Sequence, residues 1–385
     1  MIQFPKITNN TSMYSNTANK YVSAPNFGIR MQNPLSCDTV SFSGKNGDAR
    51  YSQAIRYGQA VRMERAANSI ADLLVKKLGD VDELKDNEIY GRGKRAHSIA
   101  RKFITDGIIK LDDDAVIRKE NFSKTKDVNN FITDIVGTRI VMNNIGSIDD
   151  ILNGIKSFMN KTGINIIQIE NKYPKSDKEG AGSYVSKDSL EDLNNTAMER
   201  LGKLTDFKPN DQSPVGYTAL HILMKLPKNI KQEGLGIAEL QIMGPAVAKL
   251  KDVEDFCYKI KDIGYLDAEY KQIEDILKIL TDKENHSDLI SAHKAYTKAA
   301  YIKQFKKEKY ASKLQNGKKS KKDKERVKEK ENEINDSYGK FLTIEEFVNT
   351  APNIKGLSAL KKHPELDFNN LAKIAEECRK SKDNQ

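Results

Sequence analysis

Between Asp48 and Leu78, apolar residues return every three or four positions. Ala60, Met63, Ala67, Ile70 and Leu74 fall on one face, a spacing that predicts an amphipathic helix. A turn around Asp80 and Asp86 leads into a short strand through Ile89 and Tyr90, and a second helix starts near Ala96. The stretch from Phe131 to Met142 ends in a β-rich run, Arg139-Ile-Val-Met142. An amphipathic helix from Ile148 to Met159 and a strand from Ile164 to Glu170 follow. The polar, Gly-rich stretch from Lys172 to Lys187 reads as a loop, and Leu190 to Leu201 as a helix. Strands at Thr218 to Leu226 and Ile237 to Ile242 precede a helix from Ala246 to about Leu280. Helices interspersed with four or five strands predict an α+β (mixed α/β) layer architecture, a mixed sheet covered by helices.

The flanks break this pattern. Residues 1–46 are rich in Asn, Ser, Thr and Pro without a sustained period, and read as a disordered leader. From His286 to residue 341 the chain reads as a basic linker. Its stretch from Lys303 to Lys330 is expected as a solvated helix or a disordered segment, because so charged a run buries no core. Residues 342–385 regain apolar positions (Phe347, Ile354, Leu357, Leu360, Leu366, Leu371 and Ile374) and are expected to form two or three small helices. No internal repeat is present in the sequence.

Charge sharpens the division. The chain of 385 residues has a formal net charge of +10. Between Asn46 and Asn285, however, 37 Lys and Arg face 38 Asp and Glu. The excess therefore sits in the flanks, and the flanks rather than the middle are suited to touch an acidic partner such as RNA. Three widely spaced cysteines, Cys37, Cys257 and Cys378, give neither a disulfide framework nor a zinc site. With no apolar run of membrane-spanning length and no secretory core at the N-terminus, a cytoplasmic protein without a membrane partner is expected.

Four short blocks carry the chemistry. Arg92, Lys94, Arg95, Ser98 and Lys102 place cations and a hydroxyl at a helix start, where free N–H groups already favour an anion. Lys94, Ser98 and Lys102, four residues apart, share one helical face. Asp134 and Arg139 flank the entry to a strand, and a carboxylate there suits Mg²⁺, which prefers oxygen ligands and keeps substrate phosphates as others. Gly216-Tyr217 puts an aromatic ring at a loop-to-strand junction where it could stack on a base, with His221 four residues on. Glu239 and Gln241 alternate with Leu240 and Ile242, so both polar groups share one strand face. Each block alone has an ordinary alternative: a solvated basic helix, a turn-forming aspartate, a core histidine, an edge strand facing water. The sequence has no Walker loop, no GxGxxG after a strand, no HExxH and no His-Asp doublet.

In this order the four blocks resemble the synthetase domain of the RelA/SpoT family, the (p)ppGpp synthetases, and especially its small stand-alone members. The resemblance rests on Arg92-x-Lys94-x₃-Ser98-x₃-Lys102, Asp134-x₄-Arg139, Gly216-Tyr217-x-x-Leu220-His221 and Glu239-x-Gln241-Ile242, and spans residues 47–285. It implies a nucleotidyltransferase-like, five-stranded mixed sheet flanked by helices. It also implies pyrophosphate transfer from ATP to the 3′-hydroxyl of GDP or GTP, with AMP released. Arg92 and Arg139 would sandwich the adenine, and Lys94, Ser98 and Lys102 would hold the phosphates. Asp134 and Glu239 would bind Mg²⁺, with Glu239 also a base toward the attacking hydroxyl. Tyr217, His221 and Gln241 would form the acceptor side, Tyr217 by stacking.

The departures from the family lie on that acceptor side. Gln212 and Ser213 stand near the usual Lys, Ala219 replaces a usual Ser, and Met243-Gly244-Pro245 stands where an Arg is usual. A relative that pyrophosphorylates the 3′ end of tRNA and an inactive nucleotide-binding module are therefore kept as alternatives, and homo-oligomerisation stays open.

Overall fold

The computed structural model describes residues 45–96, 98–99, 132–143, 148–174, 185–263, 276, 279, 286–316 and 340–383. The expected leader up to residue 44, the helix beyond Ile99, the middle of the loop at 175–184 and the basic run 317–339 lie outside the described residues, as does Lys102.

Helix α1 (Lys45–Gly79) buries the predicted stripe, Ala60, Met63, Ala67, Ile70 and Leu74, against the sheet. Six strands form that sheet among the described residues: β1 (Glu88–Gly93), β2 (Val136–Val141), β3 (Asn165–Asn171), β4 (Asp206–Lys208), β5 (Leu220–Lys225) and β6 (Ile237–Met243). Their spatial order is β1-β2-β6-β5-β3-β4. The pairs β1–β2, β6–β5 and β5–β3 are antiparallel, while β2–β6 and β3–β4 are parallel. The mixed α+β architecture is the expected one, with one strand more than expected. The extra strand is β4, three residues long and too short to show a period.

Alternation decides the two faces. Thr138, Ile140, Leu240, Ile242, Leu220, Ile222 and Ile169 are buried. They form one layer with α1, α2 (Ile148–Thr162) and α3 (Lys187–Leu201). Ser186 caps α3 by accepting from Ser189 N, and Gly202, left-handed at φ 63°, closes it. At the sheet edge, Gly91 and Gly93 point toward α1. A β-carbon on Gly91 would stand 2.7 Å from Val75 Cγ2, and one on Gly93 2.6 Å from Asn68 Oδ1, which accepts from Gly93 N. Only glycine lets β1 lie this close to α1, and the same alternation turns Tyr90 and Arg92 to the opposite face.

A second core lies over the end of the sheet. Helices α4 (Pro245–Ile263) and α5 (His286–Asn316) pack together, and α6 (Ile344–Thr350), α7 (Leu357–Lys361) and α8 (Phe368–Asp383) close over them. Tyr296 stacks on Phe368 and donates to Leu342 O at 2.6 Å. Thr343 and Glu346 form a capping box that starts α6.

The solvated run expected from Lys303 requires correction over its first residues. Gln304, Phe305 and Glu308 are buried in α5, because Tyr296, Ala300, Gln304 and Glu308 recur every fourth position and the intervening lysines hide that stripe from a composition count. Among the described residues, no helix is long and apolar enough to cross a membrane.

Candidate functional site

The face of the sheet opposite α1 carries the polar residues. Strand pairing aligns them into a row across all six strands: Tyr90, Arg139, Gln241, His221, Glu170 and Lys208 are successive register partners. Two residues along, a second row runs Arg92, Gly137, Glu239, Leu223, Gln168 and Asp206. Side chains in register lie on the same face. All four sequence blocks therefore have residues on one surface, although these lie up to 149 positions apart, from Arg92 to Gln241.

In the second row, Gly137 puts no side chain between Arg92 and Glu239. A β-carbon there would meet nothing closer than Arg92 O at 3.7 Å. Two strand spacings separate the Arg92 and Glu239 backbones by about 10 Å. That trough has a guanidinium on one wall and a carboxylate on the other.

The β1–β2 side holds the residues of the first two sequence blocks. Lys94 leaves β1 with its backbone N–H donating to Ile135 O, and its Nζ meets Asp134 Oδ2 at 2.5 Å. The pair is partly exposed, with Lys94 and Asp134 side chains 19% and 35% accessible. Ala96, Ser98 and Ile99 are helical, and Glu64 of α1 accepts from Ala96 N at 2.9 Å. Ser98 is half-buried. Arg92 stands on β1, just before the helical residues that begin at Ala96, and is exposed. Arg139 donates from Nη1 to Asp252 Oδ1 of α4 at 2.7 Å, fastening β2 to α4. Tyr90, over half exposed, donates to Glu88, and that bond pushes its phenol up to about 12.

The β6–β5 side is a closed hydrogen-bond set. His221 Nδ1 stands 3.0 Å from Glu239 Oε1, and Gln241 Nε2 donates to Glu239 Oε2 at 3.1 Å. Tyr217 OH lies 3.1 Å from His221 Nε2. Tyr217, expected as an accessible stacking ring, is only 9% exposed. Its ring meets His221 and Tyr301 edge-on, with centroids 5.6 and 5.7 Å away, and Lys251 Nζ sits over it at 5.8 Å. The cause is α5, which brings Tyr301 to the site and hydrogen-bonds it to Glu254.

Beyond His221 the same face ends in an ion network on β3 and β4. Glu170 receives Lys208 at 2.7 Å and Lys172 at 3.1 Å, and Lys172 also bonds Asp211 at 2.7 Å. Burial works to raise the Glu170 carboxyl, but the bonds from Lys208 and Lys172 outweigh it and hold it down at about 2. Burial likewise opposes the Lys172 ammonium, whose bonds to Asp211 and Glu170 raise it.

The sequence reading missed Asp252, Tyr301, Glu170 and Lys208. A signal existed for Glu170, since Gln168 and Glu170 share a strand face as Glu239 and Gln241 do. For Asp252 and Tyr301 there was none, because each is a polar residue on a helix whose partner is fixed only by packing.

The carboxylates Asp134 and Glu239 match the oxygen chemistry of Mg²⁺, which often takes one or two protein carboxylates and completes its shell with phosphates and water. No group of three His, Cys, Asp or Glu among the described residues is placed to hold a metal ion by itself.

No protein-family profile and no curated protein matches the chain. Among solved structures, the chain is similar to small alarmone synthetase 1 from Bacillus subtilis, at 15% identity over 70% of this chain and 96% of that one, with a TM-score of 0.34. The same synthetase bound to its product pppGpp aligns at 14% identity over 68% and 96%, with a TM-score of 0.36. The protein smu.1046c from Streptococcus mutans UA159 aligns at 16% identity over 68% and 93%, with a TM-score of 0.34.

Proposed function

We propose that this chain is an ATP-dependent pyrophosphokinase, transferring pyrophosphate from ATP to the 3′-hydroxyl of GDP or GTP and releasing AMP. The observation that carries the reading is the trough at Gly137, with Arg92 on one side and Glu239 on the other, and the Lys94–Asp134 ion pair just beyond the paired ends of β1 and β2. Phosphoryl transfer asks a protein mainly for positioning and charge neutralisation, which such a set provides. Arg92 and Arg139 bind the adenine, and Lys94, Ser98 and Lys102 hold the phosphates. Asp134 and Glu239 hold Mg²⁺, which neutralises the phosphate charge when bound. Glu239 accepts the proton of the attacking hydroxyl, and His221, Gln241 and Tyr217 make the acceptor side.

A second acceptor is favoured by one feature of α5. Exposed Lys294, Lys298 and Lys306, with Ile302 and Tyr310, follow one another every fourth residue as a slowly winding ridge. Such a ridge suits an RNA backbone, and with it the 3′ end of tRNA as acceptor.

Incubation with ATP labelled in the β-phosphate, Mg²⁺, and either GDP/GTP or deacylated tRNA tests both. Label on a guanine nucleotide with stoichiometric AMP supports the first reading, and label on tRNA the second. Folded protein that labels neither acceptor overturns both. Nucleotide binding without turnover, unchanged in Glu239→Gln, assigns a non-catalytic binding module instead.

A further inference from the structure

We infer that Tyr90 is a base-contact residue for the donor nucleotide, its ring forming a side wall against which the purine of ATP packs beside Arg92 and Arg139. The inference rests on the pyrophosphokinase reading of the same site.

Strand pairing sets four positions at the β1–β2 edge in a square on the polar face. Tyr90 and Arg92 lie two residues apart on β1, and their register partners on β2 are Arg139 and Gly137. The two arginines occupy one diagonal. On the other, Gly137 leaves its corner empty and Tyr90 fills the opposite one. The sides of the square are about 5 Å across the strands and about 7 Å along them. A flat ring held between the two guanidinium groups therefore lies within reach of the tyrosine ring.

An exposed tyrosine on a strand is ordinary by itself. Tyr90 differs in being both open and held. It is 53% exposed, yet its hydroxyl donates to Glu88 Oε2 at 2.6 Å, two residues back on the same face. The bond to Glu88, then burial and the charges of Glu88 and Asp252, raise the phenol, while Arg139 lowers it. The hydroxyl is thus within electrostatic reach of the Arg139–Asp252 pair that borders the square. Beneath it, Gly91 and Gly93 seat β1 closely on α1, and Asn68 fastens Gly93 N. The polar tip is satisfied and the strand is fixed, so a partner for the ring meets a surface that is already ordered. Guanidinium groups and an aromatic ring on one surface suit a nucleobase, because every base offers a π-face. This assigns the base to Tyr90 and leaves the phosphates to the lysines.

Calorimetric titration of the full chain with α,β-methylene-ATP and with inorganic tripolyphosphate, each with Mg²⁺, separates base contacts from phosphate contacts without turnover. Tyr90→Thr removes the ring and keeps a β-branched residue suited to the strand. It is expected to bind the ATP analogue roughly ten- to a hundredfold more weakly, and tripolyphosphate within about threefold of wild type. Tyr90→Phe keeps the ring and should stay within about threefold of wild type for both ligands. Unchanged affinity of Tyr90→Thr for the analogue, or an equal loss of both ligands by the folded variant, overturns the inference and leaves the pyrophosphokinase reading intact. So does a loss in Tyr90→Phe as large as that in Tyr90→Thr, or a wild type that holds tripolyphosphate as tightly as the analogue. A wild type that binds neither ligand overturns the pyrophosphokinase reading instead.

Discussion

The carboxyl group of Glu308, on α5, fills the space into which a side chain on Gly244 would project. From there its Oε1 accepts the N–H groups of Ala246 and Val247, at 2.7 and 2.9 Å, and so caps α4 from 62 residues away in sequence. The Met243-Gly244-Pro245 departure noted in the sequence thus has a structural reason: the glycine admits the cap. Gly244→Ala must displace a buried carboxyl, and is expected to cost about 1–3 kcal/mol. Chemical denaturation measures it, and an unchanged midpoint would sink the account.

Glu308 also sets a pH dependence. Burial pushes its carboxyl up to about 7, although the bonds from Val247 and Ala246 pull the other way. A group whose folded pKa lies above its unfolded value near 4.5 contributes stability that is complete below about pH 4.5 and is lost as pH rises through about 7. The shift corresponds to about 3 kcal/mol. Glu308→Gln does not titrate, so its stability relative to wild type should climb between pH 4.5 and 7 and level off above. Parallel curves for the two proteins over that window would refute the assignment.

Glu170 titrates with the opposite sign. Its folded pKa, held near 2, lies below the unfolded value, so its contribution is present above about pH 4.5 and fades as pH falls toward 2. The network is partly open to solvent, and screening reduces the contribution to about 1 kcal/mol. Glu170→Gln should therefore flatten the acid limb of a stability curve below pH 4.5 and leave the region above pH 7 parallel to wild type. An equally steep acid limb in the variant is the contrary result.

Gly137 separates a functional trough from a merely permissive backbone. No atom stands within 3.7 Å of a β-carbon there, so Gly137→Val fits the strand and should change stability by less than about 1 kcal/mol. The added side chain projects between Arg92 and Glu239, and nucleotide affinity is expected to drop at least about tenfold, near 1.4 kcal/mol. Calorimetric titration with an ATP analogue checks it. Undiminished binding by the folded variant would mean that the nucleotide lies elsewhere.

Period and alternation revealed most of the fold. The stripe of α1, the amphipathic face of α2 and the alternation in β5 and β6 each state their partner surface in the sequence. Those signals failed where an element was short, as in β4, or where charge masked burial, as at Gln304 and Glu308. At the site, the polar residues of β1, β2, β5 and β6 were legible as blocks because strand alternation keeps them on one face. Their links to helices were not. Asp252 to Arg139, Tyr301 to Tyr217 and Glu308 to Ala246 are contacts across 62 or more positions, set by how two cores meet. The environment of Tyr217 was misread for that reason: no local pattern tells a ring at a strand entrance that a distant helix will cover it.

Strand β6 comes last in sequence among the described strands and sits third in the sheet, between β2 and β5. Before it exists, β1 and β2 can form only a two-stranded ribbon, separate from the group of β3, β4 and β5. Chain synthesis therefore builds two halves that have no shared edge until residue 243 is available. The trough, whose Arg92 wall and Gly137 floor lie on β1 and β2 and whose Glu239 wall lies on β6, closes in a single late event at a stage dominated by contacts distant in sequence. A ribosome that has stopped short of Ile237 carries one wall and the floor of the trough and lacks the second wall, Glu239.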